Sequence, residues 1–185
     1  PREESCCISM HPATHTTIDT PSPWVTRWAS EMRAGGTVLD VACGHGRHAL
    51  YFASRGHTVH AVDRDAAVIA NLGAQGIIAQ CADIEGGPWP YAGKVFDAVV
   101  VTNYLYRPLM PALLDAIAPG GVLIYETFAI GNEKFGRPSN PAFLLAPGEL
   151  LEAVRGRCQV IAFEGVHVQM PKPAVVQRIC ARRHT

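Results

Sequence analysis

The chain carries no excess of charge: sixteen basic residues stand against sixteen acidic ones among 185. Balance of this kind gives no global pull toward nucleic acid or a membrane surface, so a small-molecule partner is expected. No apolar run approaches the roughly 20 residues of a membrane span. No basic, apolar and cleavable succession marks a signal peptide, and the expected compartment is the cytoplasm. The six cysteines form no disulfide framework: Cys6 and Cys7 are adjacent, Cys43 lies in a glycine-rich turn, and Cys81, Cys158 and Cys180 fall in or beside expected strands. No C-x-x-C occurs, and His45-x-x-His48 straddles a loop and helix start, so no metal site is expected. The length suits one core and is short for two.

The informative stretch is residues 37–65, TVLDVACGHGRHALYFASRGHTVHAVDRD. Val38, Leu39 and Val41 form an apolar run ending in a glycine turn, after which Ala49, Leu50, Phe52 and Ala53 recur at helical spacing. Gly56 stops that helix, and Thr58, Val59, Ala61 and Val62 make a second β-branched run with Asp63 at its carboxyl end. Strand, helix and strand in this order build a parallel sheet. Gly44 and Gly46 let the main chain turn sharply and approach a ligand, and the helix start offers amide hydrogens to a ligand carboxylate. Asp63, about twenty residues on, stands where an acid accepts from ribose hydroxyls. An adenosine-type cofactor is implied.

Two cofactors fit. Residues 44–49, GHGRHA, also read as a dinucleotide fingerprint, which leaves an NAD(P)-dependent oxidoreductase as an alternative. Asp40, however, sits inside the first strand, and DVACGHG resembles the acid-x-G-x-G-x-G loop of class I S-adenosylmethionine (SAM) methyltransferases. Ala42 stands where that family has its first glycine, a mild departure if the backbone there is not at positive φ. The resemblance implies a Rossmann-like, doubly wound α/β fold with a mainly parallel seven-stranded sheet and an antiparallel C-terminal hairpin. It implies SAM as cofactor, with S-adenosylhomocysteine as product. The expected cofactor-binding set is Asp40, Ala42, Cys43, Gly44, His45, Gly46, Asp63, Arg64, Asp83, Ile84 and Asn103.

Along the rest of the chain, residues 1–20 lack periodicity and are expected to be a flexible segment before one SAM-binding domain over 21–185. Met10 reads as a natural start, with residues 1–9 upstream of it. Ser22-Pro23 opens a helix whose Trp24 and Trp28 are expected to face the core. A helix is expected over 66–74, and a third strand ends at Asp83-Ile84, where class I methyltransferases set an acid and an apolar residue against adenine. Asp83 as a turn cap is the structural alternative. Residues 95–101 form the most buried strand and lead into Thr102-Asn103-Tyr104 at the ligand-binding end of the sheet. Pro119-Gly120-Gly121 is expected to end the next helix before a strand over 122–128. Residues 129–146 form a long aperiodic loop, read as a lid or substrate wall. A last helix opens near Glu149, followed by strands over 158–169 and 174–182.

Within class I, GHGRHALYF and PGELLEAV resemble the tellurite-resistance methyltransferases, while residues 126–141 depart from them. That resemblance implies roles in activity for Arg47 and His167, with Lys172 nearest to a third basic residue. Methyl transfer needs an electron-rich nucleophile held in line with a sulfonium carbon, so positioning in a dry pocket supplies much of the catalysis. For an amine or hydroxyl acceptor, Glu126, Tyr104 or neutral His167 is placed to take a proton; for a soft anion, Arg47 is placed to bind it. Tyr106, Arg107, Asn132 and Arg137 are the expected substrate contacts, converging with Tyr104, Glu126 and His167 on one pocket. The bland readings are a solvated Arg47, a capping Glu126 and a strand-satisfied His167. A SAM-binding protein without catalysis is the remaining alternative. Detoxification of tellurite-like or other xenobiotic compounds is the expected setting.

Overall fold

A computed structural model describes residues 20–185. The expected flexible segment over 1–20, with Met10, therefore lies almost wholly outside the described residues. Seven strands form one sheet: β1 (Thr37–Val41), β2 (Thr58–Asp63), β3 (Ile78–Cys81), β4 (Phe96–Thr102), β5 (Ile117–Phe128), β6 (Cys158–Val168) and β7 (Ala174–Arg183). Their spatial order is β3-β2-β1-β4-β5-β7-β6. The first five are parallel, and β7 pairs antiparallel with both β5 and β6. This is the expected mixed sheet, and its order reverses between β1 and β4. A crevice opens outside the carboxyl ends of the strands at such a switch point.

Burial follows from pattern. β4 reads FDAVVVT, and its Ala98 to Val101 are fully covered on both faces, as a central parallel strand requires. Each fully buried valine or leucine contributes about 1.5–3 kcal/mol. One face packs Leu39, Val99, Leu123 and Ile179 under α4 (Met110–Asp115) and α5 (Glu149–Val154). The other packs Val38, Val100, Ile124 and Cys180 under α1 (Pro23–Trp28), α2 (Arg47–Ala53) and α3 (Ala66–Ala74). Trp24 is 2% exposed, and its indole N–H donates to the Ile179 carbonyl at 3.2 Å, so this tryptophan is a core residue.

Two expectations are corrected. Pro119-Gly120-Gly121 does not precede the fifth strand but lies inside it. Phe96 pairs with Ile117 while Ala98 pairs with Val122, so the intervening residues bulge out of the ladder and the strand resumes in register. Residues 129–146 are not wholly irregular either: short 3-10 turns form at Asn132–Lys134 and Pro141–Phe143. The second is capped by the Asn140 side chain, which accepts from the Ala142 amide at 3.0 Å.

Candidate active site

The turn after β1 carries positive φ at Ala42 (52°), Gly44 (51°) and Gly46 (77°). The condition under which Ala42 was a mild departure is thus not met, and an alanine there stores about 1–2 kcal/mol of strain. Amide bonds from Cys43 to the Val62 carbonyl (3.0 Å) and from Gly46 to the Cys43 carbonyl (2.9 Å) hold the turn in place. The two glycines differ in what they serve. A Cβ on Gly44 would meet nothing within 4 Å, leaving the space above it open to a ligand. A Cβ on Gly46 would lie 2.3 Å from Leu72 Cδ2, so that glycine is demanded by α3 packing on the loop.

Beneath the turn, Asp40 is 1% exposed and accepts the Ala49 amide at 3.0 Å. Burial pushes its carboxyl up to about 8, against that hydrogen bond and the Arg47 charge, which pull it down. Cys43 is buried as well, and burial raises its thiol. Both shape the loop from below and do not line the cleft. Asp63 ties the loop to β2, accepting from Gly44 N at 2.9 Å through Oδ2 and from Asp65 N at 3.0 Å through Oδ1. His45 is exposed on the turn.

Three adjoining cavities run along the carboxyl ends of the strands. The first, of 430 Å³, is lined by Ala42, Asp63, Arg64, Asp83, Ile84 and Tyr104, with Phe143 from the long loop at its edge. Asp83 does cap a turn, its Oδ1 accepting from Glu85 N (3.0 Å) and Gly86 N (3.1 Å), and those amides hold its carboxyl below the usual range. It faces the cavity at the same time. The Tyr104 hydroxyl is buried with no hydrogen-bond partner among the described residues, and burial raises it. A 220 Å³ cavity shares Glu85, Tyr104 and Phe143 with the first, and Asn103 and Phe128 with the third. Asn103, at φ 54°, therefore stands where the 220 Å³ cavity meets the third.

The third cavity measures 390 Å³ and lies on the α1 side of the sheet. Glu126 Oε1 accepts the Ser22 hydroxyl at 2.7 Å and Oε2 accepts Arg178 Nη1 at 3.1 Å. Arg178 also pairs with Glu164 at 2.6 Å and lies 5.0 Å from the Trp24 ring. The Ser22 amide donates to His48 Nε2 at 3.1 Å, so His48 Nδ1 holds the proton and donates to Thr102 Oγ1 at 3.3 Å. His48 is 1% exposed, and burial, with the Arg47 charge, holds it down to about 3. Arg47 faces the cavity, donates to the Thr20 carbonyl at 3.1 Å, and has no carboxylate within ion-pair distance among the described residues.

The expected convergence of substrate residues is corrected in five places. His167 is exposed and stacks on Phe135 at 4.4 Å. Its strand neighbour Val168 lines the cavity instead, because alternate side chains leave opposite faces of β6. Arg107 is committed to Glu149, at 2.6 and 2.9 Å, and to the Ala142 and Leu144 carbonyls, at 2.8 Å each, so it clamps the long loop to α5. Asn132 is buried and bonds the Pro138 carbonyl and the Val175 amide. Tyr106 donates to the Glu85 carbonyl at 3.1 Å, and Arg137 is exposed outside all three cavities. The long loop thus walls the first two cavities through Phe143 and Pro138, while the third is walled by residues 20–23 and the β6–β7 turn. Sequence reasoning missed Ser22, His48 and Arg178 as site residues. Period-2 alternation from Glu126 signals none of them, since each reaches Glu126 or its partners from another element.

Residues 38–121 match the family model of a methyltransferase domain. No curated protein matches the chain in sequence. TehB from Haemophilus influenzae has a similar structure, with a TM-score of 0.74 and 19% identity over 91% of this chain; the chain spans 64% of that protein's length. A TehB-like SAM-dependent methyltransferase from Corynebacterium glutamicum has a TM-score of 0.63 and 18% identity over 86% of each chain. A coclaurine N-methyltransferase bound to N-methylheliamine and S-adenosylhomocysteine has a TM-score of 0.62 and 15% identity over 77% of this chain and 50% of that one. Residues 38–121 are thus similar to a methyltransferase domain, and the strand order and the glycine turn of the chain agree with that likeness.

Proposed function

We propose that the chain transfers a methyl group to a small-molecule acceptor held in the 390 Å³ cavity, with the cofactor in the adjoining 430 Å³ cavity. The observation that carries this reading is the 220 Å³ cavity between the two, which shares Tyr104 with the proposed cofactor cavity and Asn103 with the proposed acceptor cavity. Asp63 would accept the ribose hydroxyls, Asp83 the adenine amino group, and Ile84 would cover the base. Open space above Gly44 accommodates a ligand at the turn. When bound, SAM supplies a methyl carbon made electrophilic by its sulfonium and leaves as S-adenosylhomocysteine. The protein's own part is to bind, align and exclude water, with Arg47, Glu126 and Tyr104 nearest the place where the two ligands meet.

The antiparallel β6–β7 ending speaks against the dinucleotide alternative, since such folds continue with further strand and helix units. A roomy second cavity speaks against a cofactor binder without catalysis. Detoxification of a xenobiotic suits an apolar acceptor cavity, and the cytoplasm is the setting we propose. For a tellurite-like acceptor the support is the likeness to TehB and the position of Arg47.

Calorimetry against SAM, S-adenosylhomocysteine and NAD tests the reading, followed by SAM turnover on a metabolite panel. SAM and its product should bind and NAD should not. Asp63→Ala should weaken SAM by about 1.5–3 kcal/mol, the cost of lost hydrogen bonds to a charged acceptor. Unchanged affinity in that variant, or tight NAD binding by the parent, would remove the assignment.

A further inference from the structure

The acceptor cavity has chemistry of its own that narrows what it takes. At 390 Å³ it falls within the range of about 300–1,000 Å³ found for small organic ligands, far beyond what a four-atom inorganic oxyanion fills. Phe128, Val168, Met170 and Val176 are among its apolar walls. Its charged lining is three cations, Arg47, Lys172 and Arg178, and one carboxylate, Glu126. Arg178 is committed to Glu126 and Glu164. Arg47 and Lys172 have no carboxylate partner among the described residues, so the cavity disfavours a cationic amine and favours an anion.

Proton removal is the second constraint. An alcohol, phenol or ammonium must lose a proton before it attacks, and the one carboxylate of the described lining, Glu126, is held in an ion pair with Arg178. Both Glu126 oxygens already accept, from Ser22 and from Arg178. His48 Nε2 already accepts the Ser22 amide, and His167 points away on the other face of β6. A nucleophile that arrives deprotonated meets both constraints. Thiols ionise near 8.5 and lower beside Arg or Lys, and a polarisable sulfur sits comfortably against apolar walls. A carboxylate also arrives ionised, but it is strongly hydrated and loses more on entering such walls.

Resting on the proposed function above, we infer that the acceptor is an organic thiol with an aryl or alkyl body, bound as its thiolate with the sulfur toward Arg47 and Asn103. The thiol proton goes to solvent on binding. The thiolate sulfur's electron pair forms the new bond to the methyl carbon while the carbon–sulfonium bond breaks, its pair staying on the departing sulfur. The products are a neutral thioether and S-adenosylhomocysteine.

Thiophenol is the probe, with phenol, benzylamine, benzoate and tellurite as competing acceptors. Ultraviolet titration of thiophenol bound to the protein with S-adenosylhomocysteine should show thiolate forming at least one pH unit below its value in water. Arg47→Ala should return that value toward water, and Arg47→Lys should restore most of the shift. In turnover with SAM, kcat/KM for thiophenol should exceed that of each competitor at least tenfold, and across substituted thiophenols the pH profile should follow the acceptor's own ionisation. A bound thiol that titrates as in water, or preferential methylation of benzoate, benzylamine, phenol or tellurite, overturns the inference while leaving SAM-dependent transfer standing. Failure of the protein to bind SAM overturns both.

Discussion

At the scale of single residues, Ala42 shows where a side chain has been kept against backbone preference. Its φ of 52° favours glycine, and relief of about 1–2 kcal/mol outweighs the roughly 0.4–1 kcal/mol that glycine costs through the unfolded chain. Ala42→Gly should therefore stabilise by about 0.5–1 kcal/mol and raise Tm by roughly 1–4 °C in a calorimetric scan; a lowered Tm would show that the alanine methyl packs usefully. Asp40 and His48 are buried titratable groups that act on stability in opposite directions. Asp40 keeps its proton to about 8 when folded and to 3.8 ordinarily, so between these values the folded chain holds the extra proton and stability falls as pH rises. His48 refuses its proton until about 3, against 6.5 ordinarily, so below 6.5 stability falls as pH drops. The two contributions offset one another between about 4 and 6.5. From 6.5 to 8 Asp40 acts alone of the pair, at up to about 1.4 kcal/mol per pH unit. Urea unfolding at pH 6.5, 7.25 and 8 should show a declining stability that Asp40→Asn flattens; equal slopes in the two proteins would count against a protonated Asp40.

At the scale of elements, the loop over residues 129–146 is held at its far end by Arg107, which grips Glu149 on α5 and two loop carbonyls. The pair is partly solvated, with side-chain exposures of 43% and 24%, so its direct worth is about 0.5–1 kcal/mol. Its larger effect is local. Arg107→Ala should speed hydrogen exchange at the Leu144 and Leu145 amides and weaken SAM binding through the displaced Phe143, while Arg137→Ala changes neither. Parent-like exchange in Arg107→Ala would mean that the 3-10 turn at Pro141–Phe143 holds the loop unaided. Elements bounded by glycine were legible in the sequence: α3 lies over 66–74, with Gly76 just beyond it, as expected. β5 was cut short because Pro119-Gly120-Gly121 reads as a helix stop, and only pairing with β4 carries the strand across it.

At the scale of the whole molecule, a ligand that binds only the folded state stabilises it by mass action. At one hundred times its Kd, SAM should add about 2.7 kcal/mol and raise Tm by roughly 5–11 °C, with NAD giving no shift. A larger rise with NAD would overturn the choice of cofactor. No helix among the described residues is long and apolar enough to cross a membrane. The sequence alone determined the unit of β1, α2 and β2, the glycine turn and the acids that follow β1's turn, Asp63 closing β2 and Asp83 just past β3, because these are local: a loop, the strand it leaves and the next strand are neighbours in the chain as in space. Only the tertiary structure decided the acceptor side. Ser22, Glu126 and Arg178 meet from positions up to 156 residues apart, and a one-residue alternation sends Val168 into the cavity and His167 out of it. Sidedness of that kind depends on which face each strand turns to its partners, and no spacing within one segment carries that information.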